Sequence, residues 1–147
     1  MQGEIRFREV LRPPLWLLAF IYFLLLSMVI AIWAAFDNRA SLIAFIFATG
    51  AMPWIYRALR SEITIDGNEL RIDRAHISLH YLENAIAIDT KEVRFLRTQG
   101  ADPAAYLAIR FWLSSGVKVD LNDSRDPTPY WLITTRKATQ LVQALKG

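Results

Sequence analysis

Two uncharged apolar stretches, Pro13–Phe36 and Ala40–Tyr56, are separated only by Asp37-Asn38-Arg39. A bilayer core about 30 Å thick is crossed by roughly 20 apolar residues in a helix that rises about 1.5 Å per residue. The first stretch has 24 residues, which is ample. The second has 17, at the short limit, and Arg39 and Arg57 can lengthen it by snorkelling. The pattern predicts a transmembrane helical hairpin over residues 13–57, with spans at about 14–36 and 40–56. A segment over 1–12 precedes it and a folded domain over 61–147 follows. A cleaved signal peptide has a shorter apolar region and no second span directly behind it.

Charge is distributed unevenly along the chain. Residues 1–60 hold six of the 17 Lys and Arg and three of the 14 Asp and Glu, so the whole formal excess of +3 lies beside the apolar stretches. Residues 61–147 balance at eleven of each. A nucleic-acid surface puts its basic excess on the folded domain, so no nucleic-acid partner is expected. Arg6, Arg8 and Arg12 precede the first stretch, Arg57 and Arg60 follow the second, and Arg39 alone sits in the turn. The positive-inside rule then places both termini in the cytoplasm, as expected of a two-pass protein of the inner (plasma) membrane. Trp16, Trp54 and Tyr56 fall at the cytoplasmic interface of such a hairpin, with Trp33 near the outer one.

Neither stretch contains Asp, Glu, Lys, Arg or His, which argues against a transport route or proton relay. Small residues recur every fourth position, as Ser27, Ala31 and Ala35 in the first stretch and Ala40, Ala44 and Ala48 in the second. Two readings fit: stripes that face each other across a close helix contact, or the ordinary abundance of alanine. Pro53 is placed to kink the second helix in its last turn or to help end it.

The remaining chain reads as a β-rich domain. Ile63 and Ile65 alternate with polar residues, as do Leu70 and Ile72, and Gly67-Asn68 suits a two-residue hairpin turn. Pairing Ile65 with Leu70 and Ile63 with Ile72 keeps all four on one face. Further strands are predicted over His76–Leu82, Ala85–Asp89, Tyr106–Trp112, Gly116–Leu121 and Tyr130–Thr134, with 90–98 ambiguous. A loop over Ser114-Ser115-Gly116 sets Phe111 opposite Val119 and Ile109 opposite Leu121, with Gly116 left-handed and Leu107, Ile109 and Phe111 inward. Residues 136–146 form an amphipathic helix through Ala138, Leu141, Val142 and Leu145, with Thr135 as its N-cap. The expected fold is α+β: the N-terminal transmembrane hairpin, then a small antiparallel β-barrel or sandwich of pleckstrin-homology-like order, closed by the C-terminal helix. A different small α+β sheet is the alternative.

Asp-Pro-x-x-Tyr occurs twice, at Asp102–Tyr106 and Asp126–Tyr130, each copy opening a strand. As a turn, Asp caps nearby N–H groups and Pro fixes φ. As a recognition surface, the two turns share one rim and frame Tyr106, Tyr130 and Trp131. Arg110 can bind an anion, or pair with Asp120 across the expected hairpin, which is the simpler account. His76 and His80 share a strand face without a third ligand, so no metal is expected there. Asp120–Asp126 does not follow a calcium loop, because Arg125 stands where Gly is needed and Trp131 where Glu is needed. The absence of Cys excludes disulfides, thiolate zinc sites and cysteine nucleophiles. No phosphate-binding Gly loop, nucleophile elbow or paired-carboxylate signature appears, so neither enzymatic activity nor a cofactor is expected.

Three runs carry a family resemblance: Ala101-Asp-Pro-Ala-Ala-Tyr-Leu-Ala-Ile-Arg-Phe-Trp112, Val117-Lys-Val-Asp120 and Asp126-Pro-Thr-Pro-Tyr-Trp-Leu-Ile-Thr-Thr-Arg136. With two spans ahead of them, they resemble the actinobacterial family of small membrane proteins designated DUF3093, which has no assigned function. The chain departs from the family pattern at Phe111, where proline is usual after the Arg, and at Leu113-Ser-Ser, where a more charged turn is common. The resemblance implies an inner-membrane protein and brings no catalytic residues. It leads to a non-enzymatic, membrane-tethered recognition or scaffold module. A surface near Asp102, Tyr106, Arg110, Asp126, Tyr130 and Trp131 then binds a protein partner at the cytoplasmic face, or a lipid headgroup. The alternative is a structural or accessory subunit of a larger membrane complex, with the hairpin as its interface.

Overall fold

A computed structural model describes residues 4–147, so the first three residues of the expected N-terminal segment lie outside it. The chain divides into two units, Arg12–Ser61 and Met1–Leu11 with Glu62–Gly147.

The first unit is a helical hairpin of α1 (Leu15–Ala35) and α2 (Asn38–Leu59). At about 1.5 Å per residue, each helix is a little over 30 Å long. The break between them is chemical. Asp37 caps α2, its carboxylate accepting from the Ala40 N–H at 2.9 Å, and the Trp33 indole donates to Asn38 Oδ1 at 2.8 Å across the turn. Pro53 lies inside α2, which continues to Leu59. The small residues do not form two facing stripes. Ala40, Ala44 and Ala48 are buried or half-buried on α2, and Ile21, Leu25, Val29 and Ile32 are half-buried on α1, whereas Ser27, Ala31 and Ala35 are exposed. The α1 face turned to α2 is thus built of larger side chains than the α2 face, which the small alanines leave room for. A second polar contact joins the pair, Tyr22 Oη to Thr49 Oγ1 at 3.2 Å.

The second unit holds two four-stranded sheets among the described residues. β1 (Ile5–Leu11), β2 (Ser61–Asp66), β3 (Glu69–Ile72) and β4 (Ala75–Ser78) lie side by side in that order. The expected hairpin register is observed, Ile63 opposite Ile72 and Ile65 opposite Leu70. Gly67 has φ 57°, the left-handed geometry its turn requires. A second tight turn joins β3 to β4, where Asp73 adopts φ 54° and tolerates it as a short polar side chain can.

β1 is the main addition to the sequence reading, which expects a cytoplasmic N-terminal segment over 1–12 and no strand there. Its alternation buries Phe7, Glu9 and Leu11 on one face. Gly67 N–H donates to Glu4 O, and Arg8 Nε reaches Glu62 at 2.6 Å, so β1 runs antiparallel to β2. The helical hairpin is therefore an insertion between two neighbouring antiparallel strands. The buried Glu9 carboxylate accepts from the Thr135 hydroxyl and from the Arg136 N–H, the latter at 3.2 Å, and so ties β1 to the far end of the chain.

After a 3₁₀ turn at Leu79–Tyr81 come β5 (Leu82–Ile88), α3 (Thr90–Arg97), β6 (Tyr106–Ala108), β7 (Gly116–Leu121), β8 (Tyr130–Thr134) and α4 (Ala138–Lys146). The second sheet runs β5-β7-β8-β6. Three expectations are corrected here. The strand over His76–Leu82 stops at Ser78, whose hydroxyl accepts from the His80 N–H and starts the 3₁₀ turn. The strand over Tyr106–Trp112 shortens to three residues and pairs parallel with β8, so the hairpin with β7 and its register do not form. Leu107 and Phe111, expected inward, are exposed. Finally, α4 begins at Ala138 after Lys137, and Thr135 accepts from the Lys137 N–H one turn early. Helix α4 still presents its apolar stripe, with Leu141 fully buried.

The main core lies between the sheets and α4, with Ile63, Ile65 and Leu70 from one sheet and Val117, Val119, Trp131 and Ile133 from the other. A second cluster of Ile88, Val93, Tyr130 and Leu132 fills the other face of the second sheet, under α3. β8 is buried on both faces, which its run Tyr-Trp-Leu-Ile-Thr reflects.

Gly116 is a strand residue, not a left-handed loop residue. A Cβ there would lie 2.5 Å from the Ile133 carbonyl oxygen, a backbone atom that cannot swing away. Gly116→Ala is expected to destabilise the domain by about 1–3 kcal/mol, read as a lower melting temperature of the full chain. An unchanged melt would show that the strands can separate at no cost.

Candidate functional site

Both Asp-Pro-x-x-Tyr runs are turns. Asp102 accepts from the Ala104 N–H at 2.9 Å, and Asp126 accepts from the Thr128 N–H at 2.9 Å and its hydroxyl at 2.6 Å. The Thr128 hydroxyl, then its N–H, hold the exposed Asp126 carboxyl below the usual carboxylate range. The turns launch β6 and β8, which lie side by side with Tyr106 in register with Trp131, their rings 4.6 Å apart.

The residues they launch do not form one surface. Trp131 points into the main core and Tyr130 into the second cluster, each only 7% exposed. Lys118 Nζ stands 4.8 Å from the Tyr130 ring centre and 3.2 Å from Asp120. Arg110 is not opposite Asp120. It lies in the loop after β6, where its N–H donates to Thr134 Oγ1 at 2.7 Å. Its guanidinium meets Asp73 at 3.1 Å, linking the two sheets, with Cζ 6.0 Å from the Trp112 ring centre. The expected pair with Asp120 fails because β6 ends at Ala108 and never reaches β7.

The arginines that flank the two apolar stretches also divide. Arg8 is held by Glu62, and Arg6 and Arg8 belong to β1, while Arg12, Arg57 and Arg60 belong to the helical unit or its ends.

What the sequence reading missed lies in the ambiguous stretch 90–98. Asp89 caps α3 by accepting from the Glu92 N–H at 2.9 Å, and Val93 anchors the helix in the second cluster. That leaves Arg94 and Arg97, one turn apart, beside the loop that follows β6. Between helix and loop is a groove of about 160 Å³, lined by Thr90, Arg94, Arg97, Phe111, Trp112 and Ser114 among others. Arg94 and Arg97 are exposed and have no ion-pair partner among the described residues. Phe111 is 55% exposed at the rim, edge-on to Trp112 with ring centres 5.1 Å apart. The buried indole nitrogen of Trp112 has no acceptor. Every polar side chain in this lining can donate a hydrogen bond and none is a carboxylate, so the groove is suited to an anion. No cluster of three or more His, Cys, Asp or Glu able to hold a metal occurs among the described residues.

No curated protein and no solved structure matches the chain. A family model does, over residues 6–145, taking in β1, both long helices and the β-domain to its last helix. The chain belongs to the family described as protein of unknown function (DUF3093).

Proposed function

We propose that this protein is a membrane-anchored, non-enzymatic recognition module whose helical hairpin crosses the inner membrane twice. The observation that carries this reading is the surface of the hairpin. Each helix has an 18-residue window with mean hydropathy of 2.7 or 1.5, and only 6% of either window is buried. A core helix of a soluble domain is mostly covered; these present Phe20, Phe23, Phe47 and Trp54 outward. The insertion between β1 and β2 supports an even number of crossings. Adjacent strands of one sheet must lie on the same side of a bilayer, so the hairpin leaves and returns on that side. The arginine distribution favours the cytoplasm.

Because the chain has no Cys, single-cysteine reporters test this directly. Arg39→Cys, in the turn, is expected to react with a membrane-impermeant maleimide in intact cells. Ser124→Cys, in the β-domain, is expected to react only after permeabilisation. Carbonate washing is expected to leave the protein in the membrane pellet. Equal labelling of both sites in intact cells, or release by carbonate, would overturn the reading.

The pleckstrin-homology-like reading belongs here too. Its support is the order of elements: a four-stranded meander, the antiparallel run β5-β7-β8, and a C-terminal helix over the core. The parallel edge strand β6 and the open sheets are departures from a closed barrel. A second reading, an accessory subunit that uses the hairpin as its interface, is favoured by one observation. The stripe Ser27, Ala31 and Ala35 faces outward, leaving room for a partner helix. Exchanging the hairpin for an unrelated one preserves partner recovery in the module reading and abolishes it in the subunit reading.

A further inference from the structure

We infer that the groove between α3 and the loop after β6 binds the phosphate of an anionic phospholipid headgroup, an inference that rests on the anchored-module reading. Arg94 and Arg97 stand three residues apart on one helix face and are exposed without carboxylate partners. Guanidinium groups match phosphate oxygens by paired, charge-assisted hydrogen bonds. Thr90 and Ser114 add hydroxyls to the same lining. Trp112 lines the groove and also packs against the main core, so its indole reports on both. At about 160 Å³ the groove is smaller than sites for drug-sized ligands, which suits a small polar group. Over Asp89–Arg97 two carboxylates stand against Lys91, Arg94 and Arg97, which leaves a net charge of +1, with both arginines in the last turn of α3.

A free phosphate ester shares this chemistry, and two observations favour the lipid. Phe111 is 55% exposed beside the cationic groups; an aromatic ring next to arginine suits the headgroup–acyl boundary and gives a free phosphate nothing. The hairpin, if it anchors the chain, also holds the domain at a lipid surface, where effective concentration is high. Of the arginines near the apolar stretches, Arg8 is already taken by Glu62.

The test uses the full chain in dodecyl maltoside micelles and follows the indole N–H resonance of Trp112, assigned with Trp112→Phe. Dihexanoyl phosphatidylglycerol is expected to shift it saturably. The Arg94→Gln/Arg97→Gln double variant is expected to weaken that binding at least about tenfold, and glycerol 3-phosphate to bind at least about tenfold more weakly than the lipid. Both arginines are exposed, so the other four of the five tryptophans should keep their resonances in the variant and report an intact fold. No saturable shift, or an equal one in the double variant, would overturn the site. Equal affinity for glycerol 3-phosphate would overturn the lipid assignment and make the site one for soluble phosphate esters. The maleimide and carbonate results for anchoring stand or fall independently of Trp112.

Discussion

Trp131→Ala is expected to unfold the β-domain. Trp131 is 7% exposed, sits opposite Val119 on β7, and meets the Tyr106 ring at a tilt, with ring centres 4.6 Å apart. Removing a buried tryptophan costs about 3–5 kcal/mol, set against a typical total stability of about 5–15 kcal/mol. For a domain of this size each kcal/mol moves the melting temperature by about 4–8 °C, so a fall well above 10 °C is expected, or no cooperative transition at all. Near-UV circular dichroism of the solubilised chain reads it. Tyr106→Ala serves as the control. Its ring covers the same indole but is 38% exposed, so a clearly smaller loss is expected. A Trp131→Ala protein that melts like the parent while losing a binding partner would restore Trp131 to a recognition surface.

Removing residues 2–11 is expected to be as damaging, although they precede the hairpin and lie far in sequence from the rest of the domain. The deletion takes Phe7 and Leu11 from the main core, 8% and 2% exposed respectively. It also bares the edge of β2 and leaves the Thr135 hydroxyl and the Arg136 N–H without the Glu9 carboxylate. Two lost core side chains cost about 2–5 kcal/mol each and the abandoned donors about 1–3 kcal/mol more. Limited proteolysis should then digest the β-domain of the shortened chain rapidly, while the intact protein resists. Glu9→Ala gives a graded version that leaves the strand in place, with a loss of about 1–3 kcal/mol. Resistance of the shortened chain to protease would mean that β1 is an accessory strand.

Legibility followed how local each interaction is. The β2–β3 hairpin could be read to the residue because Gly67-Asn68 fixes the register and the apolar alternation fixes the face. β7 and β8 were found for the same reason, and β8 carried a run of apolar residues suited to burial on both sides. The stretch Tyr106–Trp112 alternated just as well, yet its partner is β8, more than 20 residues away and parallel. Alternation says that a strand can form, not which strand it meets. In β1 the alternation of Phe7, Glu9 and Leu11 was present, but a charged residue at the buried middle position and two exposed arginines made it look like a membrane flank. Thr135 and Arg136, 126 and 127 residues away, explain the buried carboxylate.

The candidate groove was the least legible part. Its helix has a readable cap, Asp89 with Glu92 three residues on. Its other wall is an irregular loop whose course is set by the Arg110–Asp73 link and the Thr134 hydroxyl, neither visible locally. The six residues proposed as a surface scattered for a simple reason: neighbours on a strand point to opposite faces, so Tyr130 and Trp131 could not both line one rim.

A turn joining two neighbouring antiparallel strands ordinarily has a few residues; between β1 and β2 it is the whole of about fifty. For a flexible loop the entropic cost of closure grows as about (3/2)RT ln n, and β1 would have to find β2 across that distance unaided. Two helices of 21 and 22 residues, packed antiparallel, return the chain to where it left. Pairing of the two helices shortens the loop that must close when β1 pairs with β2. A chain whose helices fail to pair would have to close a flexible loop of about fifty residues to match β1 to the β2 edge, which couples assembly of the helical unit to completion of the first sheet.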